Sequence, residues 1–276
     1  MATHDLTRTR DAWDEIAAGY DEFVTPTHMW LGKEALRRAG LDAGMRFLDV
    51  AAGSGALSIP AALRGAQVTA TDISPAMLER LGARARGEGL RDLETRVMDG
   101  HALELEDNTF DMAGSQYGVM LFPDLARALD EMVRVTKPGG RVFLVVYGPP
   151  TQVEFLGFFM GAIQAVVPGF TGLPLDPPPL AFQVADPEKL RLALAGAGLK
   201  DIGVQTVTQQ TEFQSGKAIW DWVVNSNPIG AMLVADLTEE HEAAVQRALD
   251  RVLRERAGES GIAILTDPNH IGIGTK

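Results

Sequence analysis

Between residues 45 and 147, short apolar segments alternate with segments whose apolar residues recur at helical spacing, and this alternation restricts the fold more than any other feature. A helix between two strands forms a βαβ unit, whose strands lie parallel in one sheet. The alternation therefore predicts an α/β domain with a mainly parallel, doubly wound sheet. The predicted strands cover residues 46–51, 67–72, 93–98, 110–115 and 141–147, and the helices between them cover residues 57–63, 75–86 and 124–136.

The regions on either side of this alternation differ from it in composition. Residues 11–40 have helical spacing, which predicts a helical amino-terminal cap over residues 1–40. Residues 148–185 are rich in proline and glycine yet carry several aromatic side chains, which predicts an inserted helix and loop that forms a lid. We expect one domain over residues 1–276. The remaining predicted elements are a helix over 187–197, a strand over 202–208, a helix over 237–256 and a strand region over 262–275 that Asp267-Pro268 breaks.

The composition excludes several classes of function. The chain has a formal net charge of −12, and a strongly acidic protein repels nucleic-acid phosphates and anionic lipid, so we expect neither as a partner. The chain has no cysteine, which excludes disulfides, thiolate metal sites and cysteine nucleophiles, and we predict no metal site. Residues 1–15 lack an apolar signal core and the apolar stretch 155–167 is too short to span a bilayer, so we expect a cytoplasmic protein.

A glycine-rich turn follows the first predicted strand, in residues 47–55 (FLDVAAGSG). Glycines let the backbone approach a ligand, and the following helix offers free N–H donors at its amino terminus. A tight turn without a ligand is the alternative. The dinucleotide fingerprint requires glycine or alanine three residues after Gly55, where this chain has Ser58. Asp49 just before the turn suits a ligand that carries an ammonium or sulfonium charge.

Two further acids end neighbouring predicted strands. Asp72 closes the second strand, where a carboxylate can accept hydrogen bonds from ribose hydroxyls. Asp99 closes the third strand, where it can accept a hydrogen bond from an adenine amino group. Each could instead be an ordinary turn aspartate, but together with the glycine-rich turn they favour a nucleoside-like ligand at the carboxyl edge of the sheet.

These motifs together resemble the class I S-adenosylmethionine-dependent methyltransferases, and among them the group similar to the ubiquinone and menaquinone-biosynthesis C-methyltransferases. Ala51 stands in the first glycine place of the family's loop, which is a mild departure. The resemblance is specific over about residues 11–147 and looser to the carboxyl terminus. It rests on segments 13–21 (WDEIAAGYD), 48–55 (LDVAAGSG), 71–78 (TDISPAML), 98–102 (MDGHA), 115–118 (SQYG) and 131–140 (EMVRVTKPGG).

The resemblance implies a Rossmann-like sheet of seven strands in the order 3-2-1-4-5-7-6 with the last strand antiparallel, and S-adenosylmethionine as the cofactor. It implies that Asp49 and its loop hold the methionyl part, that Asp72 holds the ribose and that Tyr20 covers the cofactor. Asp99 and its neighbours would frame the adenine. The implied cofactor residues are Tyr20, Asp49, Ala51, Gly53, Gly55, Asp72, Ile73, Met77, Asp99, Gly100, His101, Gln116 and Tyr117.

The acceptor side is less constrained by the sequence. Methyl transfer is an in-line displacement, so the protein mainly aligns the groups and excludes water, with a base where the acceptor must lose a proton. His28 and Tyr117 are the candidate catalytic residues, and spacing also leaves His101, Asp221 and His241 open. We expect an apolar or aromatic small molecule, methylated at carbon or oxygen, and a possible homodimer. Its predicted contacts, which could equally be ordinary core, are Phe155, Phe158, Phe159, Trp220, Trp222 and Asn225, with Met232 as a possible addition.

Two other functions fit parts of the same pattern. A nicotinamide-dependent oxidoreductase shares the fold type, although Ser58 and the lack of a recognisable catalytic tyrosine–lysine or histidine arrangement count against it. A protein that keeps the cofactor site but does not methylate would have the same cofactor residues. Comparing the binding of NADH with that of S-adenosylmethionine tests the oxidoreductase alternative. Release of a labelled methyl group from the cofactor in the presence of an acceptor tests the non-methylating alternative.

Overall fold

Seven strands form one sheet in the computed structural model, which describes residues 6–173 and 177–276; residues 1–5 of the predicted cap and 174–176 of the predicted lid lie outside the described residues. The sheet order is β3-β2-β1-β4-β5-β7-β6, as expected, and β7 is antiparallel to both of its neighbours while the other pairs are parallel. The strands are β1 (Arg46–Val50), β2 (Gln67–Asp72), β3 (Leu93–Val97), β4 (Phe110–Gln116), β5 (Thr136–Tyr147), β6 (Lys200–Phe213) and β7 (Ala263–Thr275).

Helices connect the strands and extend the molecule beyond the sheet. A π-helical turn, Tyr20–Val24, joins the first two helices into a continuous cap. Among the described residues no helix is long and apolar enough to cross a membrane. The helices are α1 (Leu6–Gly19), α2 (Thr25–Ala39), α3 (Ser58–Leu63), α4 (Pro75–Gly87), α5 (Leu125–Val135), α6 (Glu154–Val166), α7 (Pro187–Gly196), α8 (Gly216–Ser226), α9 (Pro228–Val234) and α10 (Glu239–Ala257).

Local signals set the starts of the helices that position the site. Ser74 caps α4, because its Oγ accepts a hydrogen bond from the Met77 amide at 3.0 Å and Pro75 stands at the first helical position. Asp124 caps α5 in the same way through the Arg127 amide at 3.1 Å. These caps place the amino ends of both helices at the carboxyl edge of the parallel strands.

The prediction that Asp267-Pro268 breaks the last strand is wrong, because β7 is continuous through both residues. The carbonyl oxygen of Pro268 accepts a hydrogen bond from the Gly148 amide at 2.7 Å, on the side of β5. Within an extended strand, the nitrogen and oxygen of one residue point to the same side. The N–H that Pro268 lacks is therefore not required for pairing with β6, where Pro268 lies opposite Thr208.

Several boundaries differ from those predicted. Strand β5 begins at Thr136 rather than at Arg141, and its pairing with β4 shifts register between Phe110 and Met112. Strand β6 runs over Lys200–Phe213, well beyond the predicted residues 202–208, because its long antiparallel ladder with β7 continues past the end of β5.

The apolar residues form two large clusters. One surrounds the sheet and includes Phe47, Phe143 and Leu129. The second lies among α6, α8 and α10 and includes Phe159 and Trp222. The lid is thus part of a helical layer that also takes in helices between β6 and β7, whereas the sequence predicted only residues 148–185 as an insertion.

Candidate active site

A cavity of about 280 Å³ opens at the carboxyl ends of β1, β2 and β4; we call it the outer cavity. Of the thirteen predicted cofactor residues, eleven line this cavity, and the exceptions are Asp49 and Gly55. The topology explains the convergence, because parallel strands on either side of the switch point end at one edge. The eleven are Tyr20, Ala51, Gly53, Asp72, Ile73, Met77, Asp99, Gly100, His101, Gln116 and Tyr117.

The turn after β1 is held by the acid at the end of β2. Asp72 accepts hydrogen bonds from the amides of Gly53 at 2.8 Å and Ser74 at 2.9 Å, one on each carboxylate oxygen. Gly53 has a φ of +54°, which favours glycine, and Ala51 takes a φ of +56° despite its side chain. Burial raises the pKa of Asp72. The carboxylate is thereby fixed in place at the cavity wall while each oxygen keeps a second lone pair.

Asp49 lies beneath the glycine turn rather than at the cavity surface. Its Oδ2 accepts a hydrogen bond from the Ser58 hydroxyl at 2.5 Å, and its Oδ1 is buried without a hydrogen-bond partner among the described residues. Burial raises the pKa of Asp49 to about 7, and the nearby charge of Asp72 adds to that rise. Ser58 in the third glycine place of the dinucleotide pattern therefore serves to orient Asp49, a role that the sequence did not indicate.

Gly55 also turns away from the cavity. A Cβ atom at this position would lie 2.3 Å from Leu81 Cδ1, so glycine is required there for the close approach of α4. Its backbone φ of +103° further restricts the position to glycine.

The loop after β3 forms another wall of the outer cavity. Asp99 Oδ1 accepts hydrogen bonds from the His101 amide at 2.9 Å and lies 2.8 Å from His101 Nδ1. The His101 ring packs on Phe122 with 4.6 Å between ring centroids. A Cβ atom at Gly100 would lie 2.6 Å from the Phe122 ring, so this position must be glycine for the wall to close.

The amino-terminal cap covers the outer cavity and is fastened to α4. Asp14 on α1 accepts hydrogen bonds from the Ser74 hydroxyl at 2.5 Å and the Ala76 amide at 3.1 Å. Arg84 on α4 forms an ion pair with Asp21 in the π-helical turn. Tyr20 lies between these two connections, and burial together with the charges of Asp72 and Asp49 raises its pKa, so its hydroxyl stays protonated.

Gln116 and Tyr117 line the outer cavity at the end of β4. Tyr117 has a φ of +61°, a sparsely populated backbone conformation for an aromatic residue that is typical of functional sites. Its hydroxyl donates a hydrogen bond to Asn269 Oδ1 at 2.7 Å. The Gln116 side chain donates from Nε2 to the His28 carbonyl oxygen at 3.0 Å, which fixes α2 against the strand tip.

A second cavity of about 80 Å³, which we call the inner cavity, adjoins the outer cavity and shares Tyr117 with its wall. Its wall is aromatic and aliphatic, and it includes Tyr147 and Phe155. His28 also lines it, buried between the rings of Tyr117 and Trp222 at centroid distances of 4.7 and 5.8 Å. Burial lowers the pKa of His28 to about 3, so the imidazole is neutral at physiological pH.

Most of the predicted acceptor contacts do not lie at either cavity. Phe155 lines the inner cavity, whereas Phe159, Trp220 and Trp222 pack within the helical layer. Asn225 donates instead to the Asp221 carbonyl oxygen at 2.6 Å. Their direct contact with an acceptor is therefore not supported, because the amphipathic helices turn these side chains toward one another. The residues that line neither cavity are Phe158, Phe159, Trp220, Trp222 and Asn225, and the same holds for Met232, Asp221 and His241.

Other lining residues were not predicted as site residues. Trp13 and Met98 lie within the motif segments, so the pattern could have indicated them. Phe122 and the turn at residues 227–229 reach the cavity only through the folding of distant segments, and no local signal marks them.

The charges around the outer cavity restrict its ligand. Asp72 and Asp99 line it and Asp49 lies beneath, while no lysine or arginine is found among its described lining residues. An acidic wall repels a pyrophosphate and attracts a cation. The outer cavity therefore suits a nucleoside-like ligand with positive charge better than it suits a dinucleotide.

Comparisons with known proteins agree with this chemistry. A family model described as a methyltransferase domain matches residues 48–144. The chain is 31% identical over 223 residues to a demethylmenaquinone methyltransferase of Renibacterium salmoninarum, a match that covers 74% of this chain and 91% of that protein. It is 34% identical over 261 residues to an uncharacterized protein of Mycobacterium tuberculosis, covering 94% of this chain and 88% of that protein.

A solved structure shares the fold. Phosphoethanolamine N-methyltransferase 2 of Haemonchus contortus, in complex with phosphomonomethylethanolamine and S-adenosylhomocysteine, superposes with a TM-score of 0.54 at 18% identity. The match covers 89% of this chain and 52% of that one. At this identity the similarity concerns the architecture of the sheet and its helices.

Proposed function

Because the chain belongs to the class I S-adenosylmethionine-dependent methyltransferases and is related to the demethylmenaquinone methyltransferases, we propose that it methylates an apolar or aromatic small molecule bound in the inner cavity. S-adenosylmethionine is the cofactor, and it supplies a methyl group carried on a sulfonium. The proposal for the acceptor rests on the two cavities, which adjoin each other and share part of their walls.

The residues of the outer cavity fit this cofactor. The carboxylates of Asp72 and Asp99 line the cavity and give it negative charge, and the buried Oδ1 of Asp49, which has no hydrogen-bond partner among the described residues, lies beneath the glycine turn. Negative charge stabilises a ligand that carries ammonium and sulfonium groups. Asp72 would hold the ribose hydroxyls, Asp99 the adenine, and Tyr20 would cover the ligand from the cap.

The lining of the inner cavity supports an uncharged acceptor. Its aromatic members, Tyr147, Phe155 and Phe182, bring ring faces and edges to one small space. None of its described lining residues is an aspartate, glutamate, lysine or arginine. Placing an ion there would cost its hydration free energy without a compensating partner. An apolar or aromatic molecule is therefore favoured over a phosphate or an amine.

The chain's own contribution to the reaction is alignment and exclusion of water. Residues of the cap and of the helical layer line the two cavities, and the bound acceptor and cofactor would displace water from them. Holding the two groups in line contributes a large part of the rate in such displacements. Methylation at carbon or at oxygen fits this arrangement equally.

The test is a screen of aromatic and aliphatic acceptors with labelled S-adenosylmethionine, scored by mass for the gain of one methyl group. Phe155→Ala enlarges the inner cavity and should change the KM for the acceptor several-fold while the Kd of the cofactor stays within about twofold. Leu192→Ala, at an exposed position on α7, is the control. Equal loss of both affinities in Phe155→Ala would contradict the assignment of the inner cavity. Cofactor binding without methyl transfer to any acceptor would favour a non-methylating role.

A further inference from the structure

His28 is buried with both ring nitrogens unsatisfied. It is 3% exposed, and neither Nδ1 nor Nε2 has a hydrogen-bond partner among the described residues. A buried polar atom without a partner loses its hydration and gains no hydrogen bond in return, so such atoms are rare unless a ligand or a function requires them.

His270 shows how this chain satisfies a buried histidine that has a structural role. It is also 3% exposed, yet its Nδ1 lies 2.9 Å from Thr206 Oγ1 and its Nε2 lies 3.0 Å from the Ala185 carbonyl oxygen. The same degree of burial therefore comes with two partners at His270 and with none at His28. The difference points to a partner for His28 that is not part of the protein.

The surroundings of His28 fix the ring without using its nitrogens. Gln116 Nε2 donates to the His28 carbonyl oxygen at 3.0 Å, and Trp222 Nε1 donates to Thr27 Oγ1 at 3.1 Å, so the backbone on both sides is held. The ring itself is held by contact with the rings of Tyr117 and Trp222. The imidazole is thus positioned in advance at the wall of the inner cavity.

We propose that His28 is a specificity-determining residue, which recognises the methyl acceptor by a hydrogen bond to a hydroxyl group on it. This inference rests on the proposed function, because it requires the acceptor to occupy the inner cavity. A neutral imidazole offers one donor and one acceptor, and a hydroxyl group can complement either. An ammonium or a carboxylate would need an opposite charge, which the described lining of the inner cavity does not provide.

The experiment compares 4-fluorophenol with 4-fluorotoluene, which have similar size and differ in a hydroxyl against a methyl group. Binding is followed by fluorine NMR in the presence of saturating S-adenosylhomocysteine, so that no reaction occurs. The wild-type protein should bind 4-fluorophenol about fivefold more tightly than 4-fluorotoluene, the value of one hydrogen bond in an apolar site. His28→Phe keeps the ring contacts and should bring this ratio to one or below.

A matched control and a stability measurement separate recognition from a structural role. His241→Phe, on α10 and away from both cavities, should keep the wild-type ratio. His28→Phe should also melt at the same or a higher temperature than the wild type, because it removes two unsatisfied buried nitrogens. A clear fall in melting temperature together with an unchanged ratio would assign His28 to the structure and overturn the proposal.

The outcomes also distinguish this inference from the proposed function. An acceptor found in the screen should displace both probes from the wild-type protein. If neither probe competes with that acceptor, the inner cavity is not the acceptor site, and the proposed function fails together with the inference. If the wild type binds both probes equally, or if His28→Phe keeps the preference for 4-fluorophenol, the inference fails while the proposed function stands.

Discussion

Asp72 has two tasks at the end of β2, and both concern the cofactor. It fixes the glycine turn through the Gly53 amide and the start of α4 through the Ser74 amide, and its side chain lines the outer cavity. Asp72→Ala should weaken S-adenosylmethionine binding by about 1–3 kcal/mol, because ribose hydroxyls lose a buried partner. Isothermal titration calorimetry measures the change.

The control for this substitution is Asp92→Ala, an exposed acid next to β3 at the opposite end of the strands, which should leave the affinity unchanged. Asp72→Ala should also lower the melting temperature, since two backbone donors lose their acceptor. An affinity equal to that of the wild type would mean that Asp72 is not the ribose ligand.

Asp49 should make the stability of the cofactor-free protein depend on pH. Its folded-state pKa is raised from 3.8 to about 7, so the folded protein binds this proton more tightly than the unfolded chain does. The resulting stabilisation is fully present below about pH 4 and is lost as the pH rises through 7. Asp49→Asn, which cannot ionise, should therefore be more stable than the wild type at pH 8, by on the order of 3 kcal/mol, with little difference at pH 4.

Denaturant unfolding of both proteins at pH 4, 6 and 8 without cofactor tests this expectation. Asp267 also has a raised pKa, but it is common to both proteins and cancels in the difference. Asp72 is coupled to Asp49 by charge, so the difference in unfolding free energy includes the Asp49–Asp72 repulsion that the substitution removes. A difference in unfolding free energy that is the same at every pH would show that Asp49 does not titrate in this range.

At the scale of single residues, sequence reasoning found the strand tips and missed what packs against them. Asp72 and Asp99 follow their strands directly, so topology alone brings them to the cavity. Asp49 was predicted to face the ligand, but its side chain turns under the loop to Ser58. Positions such as Phe122 depend on tertiary packing, which no local pattern encodes.

The cap helix is the element whose position controls access to the outer cavity. The Asp14 hydrogen bonds and the Arg84–Asp21 ion pair are its polar connections to α4 described above. Arg84→Met keeps the aliphatic stem of the side chain and removes the charge. The cofactor should then dissociate roughly five times faster, as expected for the loss of about 1 kcal/mol of partly buried ion pair.

Stopped-flow measurement of cofactor dissociation tests this role of the cap. Arg86→Met changes an exposed arginine on the same helix and should leave the rate unchanged. Identical dissociation rates in Arg84→Met and the wild type would mean that the Arg84–Asp21 ion pair does not hold the cap closed over the cofactor.

At the scale of elements, the order of strands and the helix caps followed from the sequence, but the partners of the later elements did not. Local propensity predicts a strand break at Pro268 because proline lacks an N–H. Whether that missing N–H disrupts the sheet depends on which neighbouring strand the nitrogen faces, and the pairing with β6 does not need it. Likewise α8 and α9 join α6 in one helical layer only because the chain between β6 and β7 folds back over the sheet. Long-range pairing of this kind leaves no periodic signal in a single sequence.

The whole molecule places its chemistry between two apolar clusters. The inner cavity is lined by Tyr117 and Met120 from the cluster around the sheet and by Phe155 and Val223 from the helical layer. Movement of one cluster against the other would therefore change the acceptor space without disturbing the strand tips that hold the cofactor. Acceptor specificity can vary in this architecture while the cofactor residues stay the same.

The net charge of −12 and the acidic wall of the outer cavity both favour the binding of cationic ligands over anionic ones. A ligand that binds only the folded state stabilises it by about 2.7 kcal/mol at one hundred times its Kd. S-adenosylmethionine should therefore raise the melting temperature clearly, whereas NADH at the same concentration should not, because its two phosphates would face Asp72 and Asp99 with no lysine or arginine among the described lining residues. Thermal unfolding with each ligand measures this directly. A larger shift with NADH would mean that the acidic wall does not control the choice of ligand, and the assignment of the outer cavity to a cationic cofactor would have to be abandoned.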